Sequence, residues 1–156
     1  VKSIPRPELT DMSEPAFTVS IETWPDAEDD IRFVRDSVFV REMHIPAELE
    51  WDGLDPDCVH VVARDADGQP IGTGRLLPNG KIGRMAVLPP WRSKGIGKSM
   101  LKSILQAADK AGIDEVWLHA QLSVVGFYRE ARFAEVGNSF VSAGIPHQKM
   151  VRDLKA

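Results

Sequence analysis

The stretch RSKGIGKSM at residues 92–100 decides how this chain is read. It ends in glycine–lysine–serine behind a glycine-rich run, like the tail of a nucleotide-binding P-loop. That pattern needs a glycine five residues before Gly97, where the backbone wraps a β-phosphate. Position 92 is arginine, so the P-loop reading fails at its first residue. Upstream, Pro89 and Pro90 must end a strand, since neither can donate to a ladder. Downstream, Ile96, Met100, Ile104 and Ala108 recur every four residues with Leu101 and Leu105 beside them, an amphipathic helix that Gly112 can terminate. A strand, a tight turn and a helix start leave several backbone N–H groups free at the positive end of a helix dipole, which makes an anion site. Glycines 95 and 97 would let a diphosphate touch the backbone, with Arg92, Lys94 and Lys98 adding charge. A glycine-eased helix start with a solvated basic face explains the same residues, and the motif alone leaves both readings open.

Working outward, residues 16–22 alternate apolar and polar side chains and predict a strand. Asp26 is placed to cap a helix, with Asp29 at the third position. Ile31, Val34, Val38 and Arg41 carry that helix to about Glu42. An irregular acidic stretch runs to Asp57. Strands are predicted at 58–65, 70–78 and 81–88, with Asn79-Gly80 as a hairpin signal. Beyond the 92–112 segment come a strand at 114–120, a short helix at 124–131, and strands at 133–137 and 147–154. Helices packed on a largely antiparallel sheet are the result, with no internal repeat.

Composition bounds the rest. The chain has 156 residues, 43% hydrophobic and 27% charged, which suits one globular domain. A formal net charge of −4 argues against nucleic-acid binding. Cys58 stands alone, and His44, His60, His119 and His147 show no metal-ligand spacing, so no metal is expected. No apolar run approaches the roughly 20 residues of a membrane span, and a cytoplasmic setting is the default. Residues 1–15, with Pro5, Pro7 and Pro15, read as a flexible arm ahead of a domain at 16–156.

R-x-x-G-x-G between a strand and a helix resembles the acyl-CoA pyrophosphate loop of the GNAT (Gcn5-related) N-acetyltransferases. The element order over 16–154 is similar to that fold. VFVREMHIPAELEWDGLD (38–55), IGRMAV (82–87), AQLSVVGFY (120–128) and AGIPHQKM (143–150) together resemble the ElaA-like branch. The resemblance implies an α/β (α+β) fold: one GNAT-type domain with a mixed, mostly antiparallel twisted sheet flanked by helices. It also implies acetyl-CoA as cosubstrate and transfer to a primary amine by direct attack in a ternary complex.

On that resemblance, Met85, Ala86 and Val87 would pair with pantetheine, and a bulge near Val87 would free an N–H for the developing oxyanion. Arg92, Ser93, Lys94, Gly95, Ile96, Gly97 and Lys98 would hold the pyrophosphate, and Gln121 would contact CoA. Tyr128, the only tyrosine in the chain, would protonate the leaving thiolate; a tyrosine packed on the sheet is the plainer alternative. The family's usual Gly-Phe is Arg132-Phe133 here, so Arg132 must take a strained geometry or end its helix differently. Among the acidic residues Glu42, Glu48, Glu50, Asp52 and Asp55 no general base stands out. Glu42, Glu50 and Asp52 as a group would line a cation-attracting acceptor pocket, with His147 opposite. Partners are then acetyl-CoA and an amine; the sequence also admits a homodimer. A non-catalytic acyl-CoA sensor and an acyl-homoserine-lactone synthase are the rival readings of such a fold.

Overall fold

A computed structural model describes residues 16–156; the arm expected at 1–15 lies outside them. Strand β1 (Phe17–Glu22) leads into helix α1 (Trp24–Arg35), which continues as a π-helical segment, Asp36–Glu42. A single helical turn α2 (Ala47–Glu50) and a 3₁₀ turn (Asp55–Asp57) fill the acidic stretch. Then come β2 (Val59–Asp65), β3 (Pro70–Leu76), β4 (Lys81–Val87), α3 (Ile96–Lys110), β5 (Glu115–Gln121), α4 (Val125–Glu130), β6 (Ala134–Ser142) and β7 (Ile145–Asp153). The expected order holds in full; the helix expected to run to about Glu42 does so, its last part as the π-helical segment, and α2 is an addition.

Several boundaries moved for local reasons. Thr23, not Asp26, stands at the N-cap of α1, and its hydroxyl donates to the Asp26 carboxylate at 3.0 Å. Pro25 occupies the first turn, where its missing N–H costs nothing. Strand β6 extends five residues past Gly137 because a register shift between Val136 and Phe140 lets the ladder with β7 resume.

One seven-stranded sheet runs in the order β1-β2-β3-β4-β5-β7-β6, and only the β4–β5 pair is parallel. Alternation along β2 sorts the core into two layers. Val61 and Ala63 face α3, in a cluster with Met100, Ile104, Leu118 and Met150. Val62 faces α1, with Trp24, Ala27 and Ile31. Farther along the same face, Val34, Val38 and Phe39 cover Ala86 of β4. The four-residue spacing read at Ile96, Met100, Ile104 and Ala108 is the buried stripe of α3.

Helix α4 ends in a Schellman motif, with Arg132 N–H on Arg129 O (3.0 Å) and Phe133 N–H on Tyr128 O (3.1 Å). Arg132 sits at the left-handed position with φ 71°, the strained geometry foreseen where glycine is usual. Replacing it should therefore stabilise the protein. Arg132→Gly is expected to gain about 1 kcal/mol and raise Tm by roughly 2–4 °C, read by calorimetry.

Candidate active site

The parallel pairing of β4 with β5 is short. Lys81 lies opposite Trp117 and Ile82 opposite Leu118, and there the ladder ends. Beyond it the strands diverge, so the far half of β4 has no partner on the β5 side. The cause is one extra residue in β4. Arg75 of β3 faces Gly83 and Thr73 faces Ala86, leaving Arg84 and Met85 against the single residue Gly74. This is a β-bulge, with Arg84 at φ 51°. A Cβ at Gly74 would lie 2.3 Å from Met85 Sδ, so a larger residue there would force the Met85 side chain to move.

Leu88 N–H donates toward β3, to Ile71 O at 2.9 Å. Strand alternation then turns the N–H and C=O of Val87 the other way, into the gap. The sequence placed the bulge near Val87; it lies at Arg84–Met85, and its effect reaches Val87 through the register.

At the same end of β4, the loop before α3 makes two left-handed steps, Ser93 at φ 62° and Gly95 at φ 87°. Ser99 N–H to Gly95 O (3.0 Å) closes the first turn of α3, so the amides of Ile96, Gly97 and Lys98 have no earlier helical acceptor. Consecutive amides in such a turn form a concave anion nest. Lys94 and Lys98 are exposed beside it. Arg92 is committed elsewhere: its Nε donates to Val87 O at 2.9 Å, and its two terminal nitrogens fork onto Glu42 at 2.8 and 2.6 Å. A groove of about 770 Å³ continues from Lys98 between α3 and α4, lined by Lys102, Leu105, Phe127, Arg132 and Arg152.

Tyr128 is only 8% exposed, edge-on to Phe127 and Phe133, in the same core layer as Met85 and Val87. Burial pushes its phenol up to about 12, so it holds its proton throughout the neutral range. Gln121, at the end of β5, points its amide at Met43 Sδ (3.9 Å) and pairs across the ladder with His147. His147 in turn has Nδ1 2.7 Å from Ile145 O.

Sequence reasoning missed a buried ionic network. Arg35, 1% exposed, binds Glu50 at 2.7 Å and Asp55 at 2.6 Å. Arg75 binds Asp52 at 2.5 Å and shares Asp55 at 3.0 Å. Arg84, on the bulge, reaches Glu50 at 3.1 Å and Asp52 at 3.2 Å, and also donates to the carbonyls of Leu49 and Glu50. Three cations and three anions alternate and tie the 47–57 loop to β3 and β4. The negative field expected of Glu42, Glu50 and Asp52 is thus neutralised by Arg35, Arg75, Arg84 and Arg92. Arginine at 35 falls on the apolar face of α1, and that break in the pattern was the available signal.

The network also gathers Asp55, Cys58 and His60, whose donor atoms lie within 4.8 Å of one another. Both guanidinium groups on Asp55 oppose a cation there, and Cys58 Sγ already donates to Leu54 O at 3.2 Å. The arrangement fits a structural role.

Comparison with known proteins adds to this geometry. The family described as acetyltransferase (GNAT) domain matches residues 25–154. The chain belongs to the GNAT acetyltransferase family. It is 37% identical over 128 residues to the uncharacterized N-acetyltransferase YjcF of Bacillus subtilis, covering 80% of this chain and 91% of that protein. It is 27% identical to the protein ElaA of Escherichia coli, over 78% of this chain and 84% of ElaA. A solved acyl-CoA N-acyltransferase from Pseudomonas aeruginosa superposes with a TM-score of 0.79 at 30% identity, over 88% of this chain and 99% of that one. This GNAT protein is accordingly an acyltransferase of the ElaA-like branch.

The network and the neighbouring His60 set the response to acid. Burial lowers the His60 pKa, so the ring is neutral when folded. The Arg75 hydrogen bond holds the Asp52 carboxyl far below its ordinary range, and at Asp55 the contacts with Arg35 and Arg75 outweigh the upward push of burial. His60, Asp52 and Asp55 have folded pKa values below their unfolded ones, so the stability they contribute is present at high pH and lost as pH falls; Glu50, which burial pushes up, acts in the opposite sense and offsets part of that loss. Calorimetric Tm is expected to drop first below about pH 6.5, from His60, and more steeply below about pH 4, from the carboxylates.

Proposed function

We propose that this protein is an acetyl-CoA-dependent N-acetyltransferase that acetylates a primary amine by direct attack in a ternary complex. The observation that carries this reading is the gap between β4 and β5, with Val87 N–H turned into it and an anion nest at the same end. A pantetheine arm has the form of an extended strand and can pair with the edge of β4 that lacks a neighbouring strand, at Met85 and the N–H of Val87, whose carbonyl is held by Arg92. Ala86 contributes by packing under Val38 and Phe39, which fixes the register of its neighbours.

The amides of residues 96–98, with Ser93, Lys94 and Gly95, would hold the pyrophosphate. Arg92 would act through Val87 and Glu42, steadying the strand end rather than binding phosphate directly. The groove beside Lys98 offers Lys102, Arg132 and Arg152 to the remaining phosphate of CoA. His147 would border the acceptor, beside Glu42, Glu50 and Asp52 in the neutralised loop, and Gln121 at the end of β5 would contact CoA.

In the reaction, Val87 N–H would stabilise charge on the acyl oxygen as the amine adds, an effect worth about 10²–10³ in rate for one donor. Tyr128 would donate its proton to the departing sulfur, and its raised pKa keeps that proton available. The proposal is tested by thiol release from acetyl-CoA against amino acids, amino sugars, polyamines and peptide lysines. Release that depends on one amine class supports it; tight acetyl-CoA binding without release across the panel would support a sensor instead.

Tyr128→Phe removes one oxygen and keeps the ring packing. Turnover is expected to fall about ten- to a thousand-fold with CoA affinity and Tm nearly unchanged. Wild-type rates should show no alkaline limb from Tyr128 below about pH 11, given a phenol near 12. A variant whose rate only follows its folded fraction would leave Tyr128 a packing residue.

A further inference from the structure

Helix α1 lies over β2, β3 and β4, and α3 covers the opposite face. On the α1 side, the sheet beyond β4 carries no helix among the described residues. Four cross-strand rows occupy that open face: Glu115 with Asp153 at its far end, then Trp117 with Val151, His119 with Lys149, and Gln121 with His147, which also pairs with Phe140. His119 is the first residue of β5 on this face after the β4 ladder ends at Leu118, so it stands at the apex of the gap. Its ring is exposed and contacts Trp117 and Phe140 edge-on, with centroids 5.4 and 4.8 Å away. Neither ring nitrogen has a hydrogen-bond partner among the described residues, whereas His147 has its Nδ1 on Ile145 O; of the acidic residues, Glu42, Glu50, Asp52 and Asp55 are held by arginines, and Glu48 lies exposed on α2.

We propose that His119 is the general base of the reaction, accepting the proton of the attacking amine on the open face of the gap. The inference rests on the acetyltransfer reading above. Tyr128 lies in the core layer on the α3 side, so the leaving sulfur and the incoming nitrogen are served from opposite faces. One C–N bond forms and one C–S bond breaks. The nitrogen's proton passes to an imidazole nitrogen of His119, and the Tyr128 proton passes to sulfur. Solvent then returns both side chains to their starting states.

The surroundings suit that role. Partial shielding from water between Trp117 and Phe140 comes first, followed by the charges of Lys81, His147 and Lys149, in lowering the His119 pKa, which keeps the ring neutral and able to accept a proton near pH 7. Lys81 faces it from β4, and His147 and Lys149 from β7. From β6 Ala134, Val136, Phe140 and Ser142 share the face, none of them charged, and Met43 at the end of the π-helical segment, beside Gln121, carries no charge.

The test measures kcat/KM against pH for wild type, His119→Ala and His119→Gln with the best amine of the panel, together with CoA affinity and Tm. Both variants should fold and bind CoA as wild type does, because the ring is exposed. Their kcat/KM should fall about 10²-fold or more, and the acidic limb set by His119 should disappear. Added imidazole should restore part of the rate of His119→Ala and none of that of His119→Gln, whose side chain fills the space. An active wild type whose variants keep full rate and the same acidic limb would overturn His119 as base while leaving acetyltransfer intact. A wild type inactive toward every amine would overturn both.

Discussion

One surplus residue in β4 governs the shape of this molecule. If β3 and β4 matched residue for residue, β4 would stay flat and its ladder with β5 could continue. With Arg84 and Met85 set against Gly74 alone, the strand bends and its far half leaves the sheet. A bulge leaves backbone groups unpaired, and a folded protein ordinarily satisfies or solvates such groups. Here they face a gap that opens toward the start of α3. The strained Arg84 is retained because its side chain is gripped at the other end by the carbonyls of Leu49 and Glu50 and by Asp52.

That grip links two regions far apart in sequence. The 47–57 loop has little regular structure, one helical turn and one 3₁₀ turn. Its shape comes from Glu50, Asp52 and Asp55, each held by arginines of α1, β3 or β4. Trp51 adds a flat surface on which Arg32 and Arg35 lie, at 4.8 and 4.6 Å from the ring centroid. The wall beside the gap is therefore built from charge pairing, while the layers under the sheet are built from aliphatic packing.

The difference explains what could be read in advance. Aliphatic packing leaves a period in the sequence, so the order of elements and the buried stripe of α3 were legible, and the glycines marked the tight turn before that helix. The Arg132 geometry was legible too, because a helix end has few solutions when glycine is missing. Ion pairing leaves no period. Glu50 and Asp55 looked like ordinary loop acids, and only the tertiary fold brings Arg35 and Arg75 to them. The strand that carries His119 was legible, but the exposure of His119 and its place at the apex were not, because they depend on where the β4–β5 ladder stops. No local pattern encodes that point.

The alternating network has a consequence for how this sequence can change over time. Removing one member of a buried pair strands its partner's charge, a loss of about 3–5 kcal/mol, whereas replacing the set with well-packed apolar groups can be nearly neutral. Total stabilities run to about 5–15 kcal/mol, so few single steps through the network are survivable. Arg35, Glu50, Asp52, Asp55, Arg75 and Arg84 should consequently be inherited as a block. Drift in this lineage would concentrate instead on exposed positions outside the network, such as the outer faces of α1 and α3, while the frame stays fixed.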